Sequence, residues 1–127
     1  MTRQQHLNAY LARVRARRFR PGAHDCALFV SGWVEQMTGH DHAAAFRGRY
    51  TKLDAGQDLL AAAGFEDHVA LVASILTETL PSMAQTGDLA VVDDRALGIV
   101  ASERVFVLRP DGLGHVSRRQ AQRAFTV

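Results

Sequence analysis

Cys26 is the only cysteine in a chain of 127 residues, so no internal disulfide and no cysteine-rich zinc site can form within it. A lone thiol is either a buried apolar residue or a nucleophile, and its position bears on which. Asp25, immediately before it, is a good helix N-cap. Behind it Cys26, Phe29, Val30, Trp33, Val34 and Met37 make one apolar face at helical spacing, and Gly39 can end that helix in the left-handed conformation. The thiol then sits in a first helical turn, where unpaired backbone N–H groups and the positive end of the dipole favour thiolate. The same face groups it with Phe29, Val30 and Trp33, and free cysteine is among the most buried residue types. Both readings stay open on local grounds.

A cleaving thiol needs a base that takes its proton and later passes one to the leaving amine. His24 is close in sequence, but two residues before a helical cysteine its ring is expected to point away. His115 lies on a late segment and reaches the thiol only if a sheet curls over the helix. His40 and His42 are further candidates. His40-Asp41-His42 has metal-ligating types, yet two histidines at i, i+2 without further ligand spacing make a weak site. The better reading is polar surface after a helix cap, and no metal or cofactor is expected. Arg47-Gly48-Arg49-Tyr50 suits either a grip on an anionic polymer or a partner loop, or a turn whose tyrosine packs on the core. The arginines from Arg13 to Arg20 lack aromatic interleaving and any nucleic-acid motif, so they read as a solvated helix end or protein-contact patch, and nucleic acid is not an expected partner. No phosphate-binding glycine loop and no paired carboxylates at catalytic spacing are present.

With 47% apolar and 22% charged residues, the whole span 1–127 is expected to form one globular domain. Thr2 and Gln5 make a capping-box pattern, followed by Leu7, Tyr10, Leu11 and Val14, which predicts a helix over 3–17. After the Cys26 helix, 40–52 reads as a structured loop with one helical turn near 43–46. Asp54 is expected to cap a helix through Ala63. A further helix over 68–77 turns Val69, Val72, Ile75 and Leu76 inward. Strands are expected at 89–92, 97–101, 105–108, 113–116 and 124–127, with turns at Asp93-Asp94 and Ser102-Glu103, and Ser117 with Gln120 as a second capping box. Helices first and strands afterwards predict an α+β fold with segregated layers. The start lacks the apolar core of a secretory signal, and no run approaches the roughly 18 apolar residues of a membrane span. The expectation is therefore synthesis in a cytoplasm and no membrane span.

The run His24-Asp25-Cys26-Ala27-Leu28-Phe29 followed by Gly87-Asp88-Leu89 resembles the papain-like NlpC family of cell-wall peptidases. In that family Asp-Cys opens the nucleophile helix and Gly-Asp-Leu enters the antiparallel sheet. Closer still is the likeness to a family of small phage-tail and prophage proteins. It is carried by Phe19, Gly22, Asp25 and Cys26, by Thr38, Gly39 and Asp41, by Arg47, Gly48 and Tyr50, by Ala84, Gly87 and Asp88, by Ala96 to Ile99, and by Gly112 and Leu113. The resemblance implies a papain-like fold with N-terminal helices, Cys26 at the start of a core helix, and a C-terminal antiparallel sheet against which the sulfur lies, opposite Ala96. Where the NlpC pattern has the activating histidine of His-Val-Gly-Ile, this chain has Ala96-Leu97-Gly98-Ile99. Nothing polar stands near 106–108, where an orienting residue would fall.

Loss of the base with the scaffold kept points to a structural or assembly role in a phage tail tip or baseplate, among tail hub proteins, in the virion after synthesis in the bacterial host. The rival expectation is an active peptidoglycan endopeptidase for cell-wall penetration, with Cys26 as nucleophile and His24 or His115 recruited as base. A third is a small intracellular binding module.

Overall fold

The computed structural model describes all 127 residues. Four helices come first: α1 (Arg3–Arg15), α2 (Cys26–Thr38), α3 (Leu53–Ala62) and α4 (His68–Ile75). Six strands follow, β1 (Glu78–Thr79), β2 (Leu89–Val92), β3 (Ala96–Ala101), β4 (Arg104–Arg109), β5 (Gly112–Ser117) and β6 (Arg123–Phe125), with 3-10 turns at Pro81–Met83 and Arg118–Gln120. They form one antiparallel sheet in the order β1-β6-β2-β3-β4-β5. The chain is therefore α+β with segregated elements, and no helix is long and apolar enough to cross a membrane.

Alternation along the strands sorts the core into two layers. Leu89, Val91, Leu97, Ile99, Leu108 and Phe125 face α1 and α2, meeting Leu7, Leu11, Phe29, Val30 and Trp33. Ala90, Val92, Val100, Val105, Val107 and Ala124 cluster on the other face, with Ala84 from the turn before β2 packed on them. Arg118 donates to the carbonyls of Ala84, Pro81 and Ser102, tying the two 3-10 turns together beside that second face.

Helix α1 begins with the Thr2–Gln5 capping box and ends at Arg15, two residues short of the expected end. Helix α2 begins at Cys26 with Asp25 as N-cap and stops at Gly39, whose φ is 81°. Helix α3 starts two residues earlier than expected: Lys52 occupies the cap position without a side-chain bond, and Asp54 lies inside the first turn. Helix α4 ends at Ile75, before the expected 77. Val69 is buried and Val72 and Leu76 pack on the core, but Ile75 is 39% exposed. Asp93 and Asp94 both take positive φ, 49° and 66°, which suits the tight β2–β3 hairpin. At the second expected capping box Ser117 accepts from Arg119 N, one residue before Gln120, and the turn is 3-10. The two-residue β1, pairing with β6, has no counterpart in the sequence reading.

The ends of the chain meet at Asp88. Its carboxylate accepts from Arg3 Nη2 at 3.1 Å, from Gln85 N at 2.8 Å and from Val127 N at 3.1 Å. The side chain is buried while Arg3 keeps about a third of its exposure. Removing the carboxylate would leave part-buried donors from three segments without partners. Asp88→Ala is expected to lower the free energy of unfolding by about 2–4 kcal/mol. Urea denaturation checks this, and a loss under about 0.5 kcal/mol would mean that water replaces the carboxylate at no cost.

Candidate functional site

Two hydrogen bonds seat α2 on the sheet. Trp33 Nε1 donates to the carbonyl of Gly87 at 2.7 Å, and at the helix start Cys26 Sγ donates to the carbonyl of Leu97 at 3.4 Å. The sulfur thus lies against β3, as expected, but its partner is backbone. Ala96 does not face it: Ala96 packs against the cluster of Val92 and Val100 on the opposite face, because adjacent strand residues point to opposite sides.

Asp25 holds this corner together. One carboxylate oxygen caps α2 by accepting from Leu28 N at 3.0 Å; the other accepts from Gly22 N at 3.0 Å and from the hydroxyl of Tyr50. Gly22 has φ of 82°, and a Cβ there would stand 1.9 Å from the carbonyl oxygen of Tyr50. Gly48 N donates back to Gly22 O at 2.8 Å. Tyr50 lies across α3, where a side chain at Gly56 would come within 2.9 Å of its ring. Arg47 binds Asp41 through two nitrogens, at 3.2 and 3.0 Å, closing the loop before Tyr50. Arg47-Gly48-Arg49-Tyr50 is thus a turn that delivers a tyrosine to Asp25.

Beside Cys26 these elements line a half-open cavity of about 230 Å³, bounded by the start of α2, the loop through Tyr50, helices α3 and α4, and Leu97. Twelve of its seventeen lining residues are hydrophobic, so ionisable groups there are poorly solvated. Burial, opposed only in part by the Leu97 carbonyl, pushes the Cys26 thiol up to about 11. Burial, then the hydrogen bond to Asp25, raises the Tyr50 phenol.

His68 also lines the cavity. It is the first residue of α4, behind the N-cap Asp67, so Asp67-His68 repeats the arrangement of Asp25-Cys26. Its Nε2 is buried and has no hydrogen-bond partner. Burial lowers its pKa, with the Arg95 carbonyl the leading opposing influence. Arg95 and Leu97 are two residues apart, so their α-carbons are separated by no more than about 7 Å. The thiol and this imidazole therefore approach the same end of β3. The sequence reading passed over His68 as an ordinary helix start; the repeated Asp-X cap is the signal that could have found it.

The other histidines lie elsewhere. His24 is buried under α1, near the Val14 carbonyl, with Nε2 unpaired, and is outside the cavity lining. His115 is exposed on β5 with its ring edge-on to Phe106 at 5.6 Å, also outside that lining. The rings of His40 and His42 stack at 6.1 Å, and Asp41 between them is engaged by Arg47.

A family model described as a domain of unknown function, DUF6950, matches residues 1–127. The chain belongs to the DUF6950 family. Comparison with curated proteins gives no match.

In this DUF6950 domain the Asp25 corner makes a graded prediction. Gly48 has φ of 77° with open space where a Cβ would go, whereas Gly22 combines a positive φ with the Tyr50 carbonyl. Gly48→Ala is expected to cost about 1–2 kcal/mol for the left-handed backbone alone, and Gly22→Ala distinctly more. Tyr50→Phe should cost about 1–3 kcal/mol, since it takes a donor from a buried carboxylate. Denaturant melts of the three variants check the ranking, and equal losses at both glycines would contradict it.

Proposed function

We propose that this chain is a papain-like domain of NlpC type that no longer hydrolyses, serving as a structural component of the tail tip or baseplate of a phage or phage-derived particle. The observation that carries the reading is the state of the thiol. With a pKa near 11, on the order of one molecule in ten thousand carries a thiolate at pH 7. Its proton is directed at the Leu97 carbonyl. A thiol so held works as a hydrogen-bond donor between helix and sheet. The helix-start cysteine, the antiparallel sheet behind it and the order of the matching motifs support the NlpC-type scaffold. The tail assignment rests on the resemblance of those motifs to small phage-tail proteins. Tail hub proteins are then the partners and the virion the destination, after synthesis in the bacterial host.

A second reading, an active peptidoglycan endopeptidase, is favoured by one observation: His68, a half-buried imidazole of lowered pKa, shares the cavity with Cys26. In that reading His68 takes the thiol proton as sulfur attacks a peptide carbonyl, then gives it to the departing amine, and water frees the acyl group from sulfur.

Cell-wall digests separate the two. The structural reading expects no peptide fragments from purified sacculi at any pH from 5 to 9, and intact particles when Cys26→Ala replaces the wild type. Fragment release that both Cys26→Ala and His68→Ala abolish would establish the second reading in its place.

Thiol chemistry gives a further expectation. Iodoacetamide should alkylate Cys26 in the folded protein slowly at pH 7.5, with the rate rising about tenfold per pH unit towards 11. The folded pKa lies above the ordinary thiol value of 9.0, so the thiol's contribution to stability is complete below that value and is lost as pH rises towards 11. Denaturation curves between pH 8 and 11 should slope downward for the wild type, with this part of the slope missing in Cys26→Ala. Rapid alkylation of the folded state at neutral pH would contradict the half-buried, protonated thiol.

A further inference from the structure

We propose that the cavity beside Cys26 binds a single aromatic group bearing one hydrogen-bond donor, a phenol or an indole, carried either by a small molecule or by a tyrosine or tryptophan side chain of a partner. The inference rests on reading the site as one that binds and does not hydrolyse.

Size sets the first limit. An apolar cavity of about 150 Å³ accepts benzene, so one of about 230 Å³ has room for a ring with a substituent or a fused second ring. Shape and surface set the second. Phe46 and Tyr50 place two aromatic side chains on a wall otherwise rich in leucine and valine, and aromatic pairs in offset or edge-on contact gain beyond simple burial.

The polar groups set the third. Four ionisable side chains line the cavity: Asp25, Cys26, Tyr50 and His68. Three are already engaged, since Tyr50 donates to Asp25, Asp25 also accepts from two backbone amides, and Cys26 donates to Leu97. A carboxylate whose lone pairs are so occupied is a poor partner for a cationic ligand, and it repels an anionic one. His68 is the exception, because Nε2 is buried without a partner. Burial keeps the ring neutral, and a neutral imidazole offers one N–H and one lone pair. With the N–H placed on Nδ1 and the Arg95 carbonyl near the ring, the Nε2 lone pair is left without a donor in the protein. Buried polar atoms left in that state are uncommon in folded proteins. An O–H or N–H on an otherwise apolar ring supplies the missing donor.

The test uses the full chain and a matched pair of probes, 4-methylphenol and toluene, which differ only in the hydroxyl. Titration followed by amide and methyl NMR shifts should perturb Leu71, Val72 and Leu97 with both. The phenol is expected to bind threefold to tenfold tighter, as one added neutral hydrogen bond allows. His68→Leu should equalise the two affinities while toluene still binds, and Leu71→Trp should exclude both. The wild-type comparison needs no variant, so a misfolded mutant leaves the test decisive. Equal affinities in the wild type, or no perturbation by either probe at millimolar concentration, would overturn the proposal. A short blocked peptide with a central tyrosine identifies the source: tighter binding than 4-methylphenol assigns a partner's side chain, and weaker binding a small molecule. Fragment release from cell walls would sink the non-hydrolytic reading without affecting ring binding, whereas absence of ring binding would sink this inference alone.

Discussion

The corner at Asp25 is the constraint from which the rest of the site is built. One buried carboxylate joins the first turn of α2, the turn at Gly22 and the loop that ends in Tyr50. Each of these segments is polar at its contact and could not be buried alone without leaving an amide or hydroxyl unpaired. Once the carboxylate is in place, the loop through Tyr50 must close over α2 and α3 must pass beneath the tyrosine ring, which only a glycine at 56 allows. The cavity is the space these closures leave. Its hydrocarbon lining follows from the apolar faces of α2, α3 and α4, and its ionisable groups come from the starts of α2 and α4 and from Tyr50 in the loop between α2 and α3.

Helix α2 is held from the other side by the sheet. Phe29, Val30 and Trp33 supply contact area, but the register comes from the two hydrogen bonds to backbone carbonyls, Trp33 to Gly87 and Cys26 to Leu97. Gly87 and Leu97 belong to the segments that Asp88 and the β2–β3 hairpin position. Arg3, Gln85 and the C-terminal Val127 converge on Asp88. The two short motifs Asp25-Cys26 and Gly87-Asp88-Leu89 are thus buried-carboxylate junctions, tied to each other through α2. A sequence can keep both for structural reasons whether or not the thiol reacts.

Much of this was legible because it is local. Asp25 as a cap, Gly39 as a stop, the heptad-like face of α2 and the alternation of β2 to β5 are each written in neighbouring residues, and each element stands where that pattern places it. The misses are non-local. Asp54 has the right chemistry for an N-cap, yet the helix is capped two residues earlier, at Lys52. Ile75 fits the inward stripe of α4, but the helix is too short to carry it under cover. Strand β1 exists only because β6 returns beside it. Ala96 was expected to oppose the sulfur because it fills a motif position, whereas strand parity turns it to the far face. His68 escaped notice for the opposite reason: it fills no motif position, and only tertiary closure brings it to the cavity.

Two opposed effects act on the thiol, and the sequence alone leaves them in balance. A helix start favours thiolate by about 0.3–1 kcal/mol at an exposed site. Burial raises the pKa from 9.0 to about 11, roughly 3 kcal/mol in favour of the neutral form. Desolvation therefore wins, since the same apolar face that defines α2 also removes the water a thiolate needs. The dipole and the apolar face are both properties of one stretch of sequence. What decides between them is how tightly the loop through Tyr50 and helix α4 close over the helix start, and that depends on residues more than twenty positions away.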